Sequence, residues 1–191
     1  MKKEELKEIL VGQLKDLYSA EKQLIKALPK MAKAASTEEL SSGFEEHLEQ
    51  TRSHAQRIET ILEEMDESTR GPVSKGMEGL IEEGSEVIDD DELEGEGKDV
   101  ALIAAAQRVE HYEIAAYGCV RTYAKQLGMS DAASLLEQTQ EEEKETDQKL
   151  NQISESLIEN AEAGTESEEG TEGEEKEETA TRGRKMRAAR A

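Results

Sequence analysis

Apolar residues recur every three or four positions through most of the chain, which predicts long amphipathic helices rather than strands. Leu6, Leu10, Leu14, Leu17, Leu24, Ile25, Leu28 and Ala32 make one stripe, so the first helix should span about residues 3–34. Pro29 falls inside it and predicts a kink, because it removes one backbone donor. Ser36-Thr37-Glu38-Glu39 reads as the next helix start, with Ser36 or Thr37 as the cap and Glu39 placed for a capping box with Ser36. That second helix should run to about Met65, with Leu40, Gly43, His47, Gln50, His54, Ile58, Ile61 and Met65 inward. A loop follows from Asp66 to Pro72, then a shorter helix from Ser74 to Ile88 weakened by Gly76, Gly79 and Gly84. The acidic stretch from Asp89 to Gly97 lacks the alternating ligand order of an EF-hand and reads as a solvated linker. A third long helix should run from Asp99 to Gly128, which ends it, and Ser130 should cap a fourth over residues 131–159.

Each long stripe is interrupted by side chains that do not belong in a core. Glu113 sits at the middle of the stripe formed by Leu102, Ala106, Val109, Ala116, Tyr117, Val120, Ala124 and Leu127, and Glu110 lies on its flank one turn earlier. Glu21 interrupts the leucines of the first helix. Two imidazoles and an amide, His47, Gln50 and His54, face inward on the second. On the fourth, Glu143 lies within the stripe of Ala132, Leu135, Leu136, Leu150, Ile153 and Leu157, with Glu142 and Asp147 at its edges. A buried bare carboxylate is costly, so these groups must be paired, protonated or bound to metal. Their spacings also repeat. Glu21 precedes Gln50 by twenty-nine residues and His54 by thirty-three; Glu113 precedes Glu143 by thirty and Asp147 by thirty-four. Two antiparallel helix pairs joined by a long crossover have the connectivity of a ferritin-like bundle. The fold class expected is therefore all-α: a ferritin-like four-helix bundle with a short extra helix in the crossover. At the centre of such a bundle, carboxylates can neutralise two divalent iron or manganese ions while imidazole fills a further position.

Composition narrows the function. Only 35% of residues are hydrophobic and 37% are charged, with a formal net charge of -22. Nine acidic and six basic residues lie beyond residue 159, so the excess negative charge stays almost entirely on the helical part. This disfavours nucleic acid or an anionic membrane as a partner of the folded domain. It suits a halophilic, high-salt cytoplasm, where screening weakens self-repulsion. The one cysteine, Cys119, cannot form an internal disulfide and reads as a small, partly buried hydrophobe. No apolar run is long enough to span a bilayer, and the N-terminus enters an amphipathic helix without a signal-peptide apolar region. A soluble cytoplasmic protein is expected. The helical domain should occupy residues 1–160. Residues 161–191 should be a disordered acidic tail with a basic end.

Four runs carry a family resemblance: Asp16-Leu17-Tyr18-Ser19-Ala20-Glu21-Lys22-Gln23-Leu24, Ala27-Leu28-Pro29-Lys30-Met31-Ala32, Met77-Glu78-Gly79-Leu80-Ile81-Glu82-Glu83-Gly84 and Val109-Glu110-His111-Tyr112-Glu113-Ile114-Ala115-Ala116-Tyr117-Gly118. Over about residues 3–159 the chain resembles the YciE/YciF ferritin-like family. The resemblance implies a five-helix ferritin-like domain of the bacterial and archaeal stress response, often dimeric, with two iron ions and a ferroxidase label. It implies Glu21, His54, Glu110, Glu113, Glu143 and Asp147 as metal ligands. Position 50 departs from the family pattern His-x-x-Glu-Thr-x-x-His, since Gln50 stands where the family has glutamate. An amide binds metal more weakly than a carboxylate, so Gln50 is a weakened ligand, or Glu46, Glu49 or His47 takes its place. His111 lies roughly opposite Glu113 and falls outside the site. Tyr18, Tyr112 and Tyr117 are relay or hydrogen-bonding candidates, with core packing as the plainer role. Two functions remain: a di-iron oxidoreductase that oxidises Fe(II) with oxygen or peroxide, and a non-catalytic helical dimer scaffold whose metal site is impaired or absent.

Overall fold

The structure is a computed structural model and describes residues 2–188, with side chains as far as residue 160. Its elements are α1 (Lys3–Ala34), α2 (Glu38–Glu64), α3 (Lys75–Asp89), α4 (Gly95–Leu127) and α5 (Ser130–Ala188), with no strand among the described residues. The side chains of the expected acidic tail, residues 161–191, lie outside the described ones. The chain divides into two units, Met1–Ser154 and Glu155–Ala191, and the polar centre belongs wholly to the first.

Pairing between helices sets the directions. On α1 and α2, Lys15 meets Glu67 just past the end of α2, Tyr18 meets Glu59, and Ala32 meets Ser41, so the two run antiparallel. On α4 and α5, Arg121 meets Glu137, Ile114 meets Gln140, and Gln107 meets Asp147, which is again antiparallel. The crossover of residues 65–94 carries α3 along α1 and α4. Ser74 pins its entry. Fully buried, it gives its hydroxyl to Asp16 Oδ2 at 2.9 Å, while its backbone N–H donates to Ser19 Oγ at 3.0 Å. The bundle and the extra helix match the all-α expectation.

Three local expectations change. The start of α2 is not capped by its own side chains. Asp99, fully buried on α4, accepts from the backbone N–H groups of Ser36 at 2.6 Å and Thr37 at 2.9 Å, and from the Thr37 hydroxyl at 2.7 Å. A carboxylate from a distant helix satisfies the orphan donors that a capping box would have served. Second, α4 begins at Gly95, four residues before the expected Asp99. Third, Cys119 is exposed. Gly128 does end α4, with φ 80, a left-handed conformation that favours glycine.

One apolar cluster fills the end of the bundle made by the start of α1, the end of α2, the end of α4 and the start of α5. Leu10, Leu14, Leu17, Ile58, Ile61, Leu62, Val120 and Leu136 gather there. Buried Leu28, Leu40, Phe44, Leu102 and Ile153 continue the core toward the other ends of these helices. The buried face of α2 is Leu40, Phe44, His47, Thr51, His54, Ile58 and Ile61, with Ala55 and Leu62 beside it. That stripe steps alternately by four and three residues, the heptad spacing of packed helices. Gly43 and Gln50 fall off it and are only half-buried.

Candidate metal centre

Each of the four long helices delivers acidic or imidazole side chains to one layer next to the apolar cluster, whose Leu17, Ile58 and Tyr117 lie one turn from Glu21, His54 and Glu113. From α1 comes Glu21, from α2 His47 and His54, from α4 Glu110 and Glu113, and from α5 Glu143. None is more than 3% exposed. Seven-residue spacing places both imidazoles on the same α2 stripe, and three-residue spacing places both α4 carboxylates on one face.

Donor atoms gather in two overlapping groups. Glu21, His54 and Glu143 form one, His47, Glu110 and Glu143 the other, and within each the ligand atoms lie within 4.8 Å of one another. His54 Nδ1 is 3.0 Å from Glu143 Oε1 and 3.8 Å from Glu21 Oε1. His47 Nε2 is 3.3 Å from Glu110 Oε1 and 3.9 Å from Glu143 Oε2. Those nitrogens are close to the oxygens without the alignment of a hydrogen bond. Glu21 Oε2, Glu110 Oε2 and both oxygens of Glu113 and Glu143 are also buried without partners. Buried polar atoms are otherwise almost always satisfied, so a convergent set of unsatisfied ones marks a ligand's place.

Outer partners aim the inner atoms. His54 Nε2 lies 2.9 Å from Glu142 Oε2, which puts the ring proton there and turns the Nδ1 lone pair inward. Arg57 holds Glu142 through two nitrogens, at 2.5 and 3.0 Å, and also donates to Thr139 at 2.9 Å. His47 Nδ1 lies 3.3 Å from Gln50 Oε1 and 3.4 Å from Thr146 Oγ1, so its Nε2 faces the centre. Tyr117, fully buried, donates its hydroxyl to Glu21.

The metal-free centre substitutes protons for cations. Burial, then the charges of Glu21, Glu143 and Glu110, hold the Glu113 carboxyl well above the ordinary range. Burial likewise raises Glu21 to about 8 and Glu110 to about 7, against the lowering pull of the imidazoles. For His47, burial disfavours the charged ring, yet the adjacent Glu110 and Glu143 carboxylates outweigh it and raise it to about 10. Glu143 goes the other way: burial opposes its charge, but His54 and His47 hold its carboxyl below the usual range.

Four carboxylates and two imidazoles match two divalent ions in charge and in donor type. Oxygen and nitrogen donors suit iron or manganese, and no thiol reaches the centre, since Cys119 is exposed. Of the residues expected from sequence, Glu21, His54, Glu110, Glu113 and Glu143 come together here. Gln50 and Asp147 do not. Gln50 turns its carbonyl oxygen to His47 and Thr146 at the edge. Asp147 pairs with Gln107 at 3.3 Å and lies 3.4 Å from His111, whose side chain is 71% exposed. In their place stands His47, which the seven-residue spacing to His54 signals. Nothing in the spacing pointed to the Arg57–Glu142 support or to the Tyr117–Glu21 bond as such.

A family model described as "Domain of unknown function (DUF892)" matches residues 5–163. Protein YciF of Escherichia coli (strain K12) is 50% identical over 149 residues, which are 78% of this chain and 89% of YciF. The crystal structure of that E. coli stress protein matches with a TM-score of 0.78 and 48% identity, covering 81% of this chain and 97% of YciF's. YcfI of Rhodopseudomonas palustris, described as a structural protein, matches with a TM-score of 0.72 and 36% identity, covering 76% and 92%. A bacterioferritin-related protein of Bacteroides fragilis, a dodecameric thioferritin, matches with a TM-score of 0.65 over 85% of this chain and 98% of its own. At 19% identity it shows the shared ferritin-like bundle alone.

Proposed function

The chain belongs to the DUF892 family and is a relative of YciF, and on that premise we propose a ferroxidase-type di-iron protein. Its centre binds two divalent ions, iron with manganese as the substitute, and Fe(II) is oxidised there by dioxygen or a peroxide in stress protection. The observation that carries this reading is the convergence of unpartnered nitrogen and oxygen atoms from Glu21, His47, His54, Glu110, Glu113 and Glu143. Glu21 and His54 would hold one ion, His47 and Glu110 the other, with Glu143 shared between them and Glu113 in the same layer. The pair of ions supplies two electrons at adjacent positions. The protein supplies charge balance, fixed imidazole tautomers and exclusion of bulk water. Tyr117, bonded to Glu21, sets the direction of that carboxylate.

No described helix is long and apolar enough to cross a membrane. A cytoplasmic homodimer in a high-salt interior fits the acidic surface, without nucleic acid bound through the folded domain. The scaffold reading draws on Gln50, a neutral residue beside the centre, and on the description of YcfI. Elemental analysis of protein expressed with added iron separates the two. About two iron or manganese ions per chain, with Fe(II) oxidation above the uncatalysed rate, is the expected outcome. A chain free of metal sinks the ferroxidase reading and leaves the scaffold.

A further inference from the structure

Two openings reach His47 from different sides, and they differ in chemistry. Between α2 and α5 lies a polar depression lined by Glu46, Gln50, Glu145, Thr146 and Lys149. On the other side, α1, α3 and α4 line a half-open cavity of ≈ 50 Å³ that reaches in to His47 of α2. Its walls are mostly apolar, formed by Leu28, Met31, Leu80, Ile81, Ala105 and Val109, with Lys30, His47 and Glu110 also lining it. The Ser85 hydroxyl on its wall donates to the Ile81 carbonyl at 2.8 Å, so it has no proton left to give a guest. His47 Nε2 and Glu110 Oε2 are among the buried atoms without partners.

We infer that this cavity is an admission chamber for a small apolar molecule, which the di-iron reading, on which this identification rests, makes dioxygen. Size and polarity both select it. An apolar cavity of about 150 Å³ stays dry and takes a benzene ring, so one of ≈ 50 Å³ suits a molecule of two or three heavy atoms. Hydrogen peroxide forfeits its hydrogen bonds with water on entering such walls; dioxygen has none to lose. Peroxide and hydrated cations have the polar depression instead. The chemistry balances: two Fe(II) ions lose one electron each, and one dioxygen takes both electrons and two solvent protons to leave as hydrogen peroxide. Two residues govern passage. Gly84 of α3 is buried on the wall, where an added Cβ would stand 3.7 Å from Met31 Sδ and 3.9 Å from Ala105 Cβ. Ala105 of α4 faces the same space. A larger side chain at either position fills it.

The test uses the full chain and two probes. Crystals under xenon should show one xenon atom in the chamber of the wild type and none in Gly84→Leu or Ala105→Leu. In solution, both variants should oxidise Fe(II) about tenfold more slowly with dioxygen, but within about twofold of wild type with hydrogen peroxide. Mn(II) stoichiometry should be unchanged. Each variant fills the space from a different helix, so if one fails to fold the other decides. No xenon in the wild type overturns the inference; so do unchanged dioxygen rates, or equal slowing with both oxidants. A chain that binds no Mn(II) or Fe(II) yet seats xenon sinks the di-iron reading alone, and the chamber stands as a site for a small apolar molecule.

Discussion

Glu21, His54 and Glu143 on one side of the centre use the same residue types, at the same depth, as His47, Glu110 and Glu143 on the other. Their surroundings differ. His54 is backed by a charged relay, Glu142 held by Arg57 through two nitrogens. Tyr117 fixes Glu21 on the same side. His47 is backed by a neutral amide and a hydroxyl at 3.3 and 3.4 Å, and it borders both the apolar chamber and the polar depression. Charge-assisted support makes a ligand more basic and holds its geometry; neutral support does so less. On the di-iron reading, the His54 half would keep an ion more firmly and the His47 half would exchange one more readily.

The largest effect should come from removing what the halves share. Glu143→Ala deletes an oxygen donor from both groups and leaves two buried imidazoles without their common carboxylate. Metal content should fall from about two ions to nearly none. Retention of one tightly held ion would show that the halves do not share Glu143. Next in size is the contrast between His47→Ala and His54→Ala. Each should retain one ion. The ion left in His47→Ala, supported by Glu142 and Arg57, should be held about tenfold or more tightly than the one left in His54→Ala. Competition with a chelator measures both, and equal affinities would erase the asymmetry.

Glu113 tests the metal-free state, where protons do the work of cations. Glu113→Gln keeps the shape and removes a carboxyl that burial and three acidic neighbours already hold in its neutral form. At pH 8 the metal-free variant should melt a few degrees higher, on the order of 1 kcal/mol, while binding metal more weakly. The parent should show the matching pH dependence. Above the ordinary carboxyl range, Glu21 and Glu113 hold protons in the folded state that the unfolded chain has released, and His47 does the same above its ordinary value. The folded state then binds more protons, so metal-free stability falls as pH rises from about 5 to 9. Metal affinity rises over the same range, because binding expels those protons. A metal-free melting temperature that climbs with pH would contradict this.

Salt separates this centre from the surface. The formal net charge is -22. Exposed charges are screened over about 10 Å at 0.1 M salt and about 3 Å at 1 M, whereas the buried carboxylates are not. Molar potassium chloride should raise the melting temperature by several degrees and change the His54-side affinity little. A melting temperature indifferent to salt would remove the halophilic reading.

The legible parts of this protein are those written in local periodicity. Leu10, Leu14 and Leu17 read as core because a 3.6-residue repeat needs no partner to be seen, and Glu21 and Glu113 stood out as anomalies within that repeat. Gln50 lies at the edge of the site for a physical reason. Within one helix, residues three and four apart both look inward, and only the partner helices decide which row faces the centre. Here packing chose the heptad row through Phe44, His47, Thr51 and His54, and Gln50 was left on the edge. On α5, Asp147 likewise lies apart from the two donor groups, beside Gln107. Asp99 and Arg57 were invisible because their roles, clasping another helix's start and propping another helix's carboxylate, exist only in the assembled bundle.

The smallest effect is expected at Gln50, and it tests the weaker half most directly. Were Gln50 a direct ligand, glutamate there would add a bridging carboxylate and could raise metal content by a whole ion. Its carbonyl oxygen instead accepts from His47 Nδ1 at the half-buried edge of α2. A carboxylate in that position cannot bridge two ions. It can give His47 the charged backing that Glu142 gives His54. Gln50→Glu should therefore leave stoichiometry at about two ions and tighten the weaker one by roughly three- to tenfold, below the 10–100-fold typical of removing such a partner outright. The metal-free protein should change by no more than about 0.5 kcal/mol, because the added charge is half-exposed. Chelator competition resolves the two affinities in each protein. If instead the wild type holds a single ion and Gln50→Glu holds two, position 50 reaches the metal directly, and the exchangeable half owes its weakness to a missing ligand rather than to a neutral support.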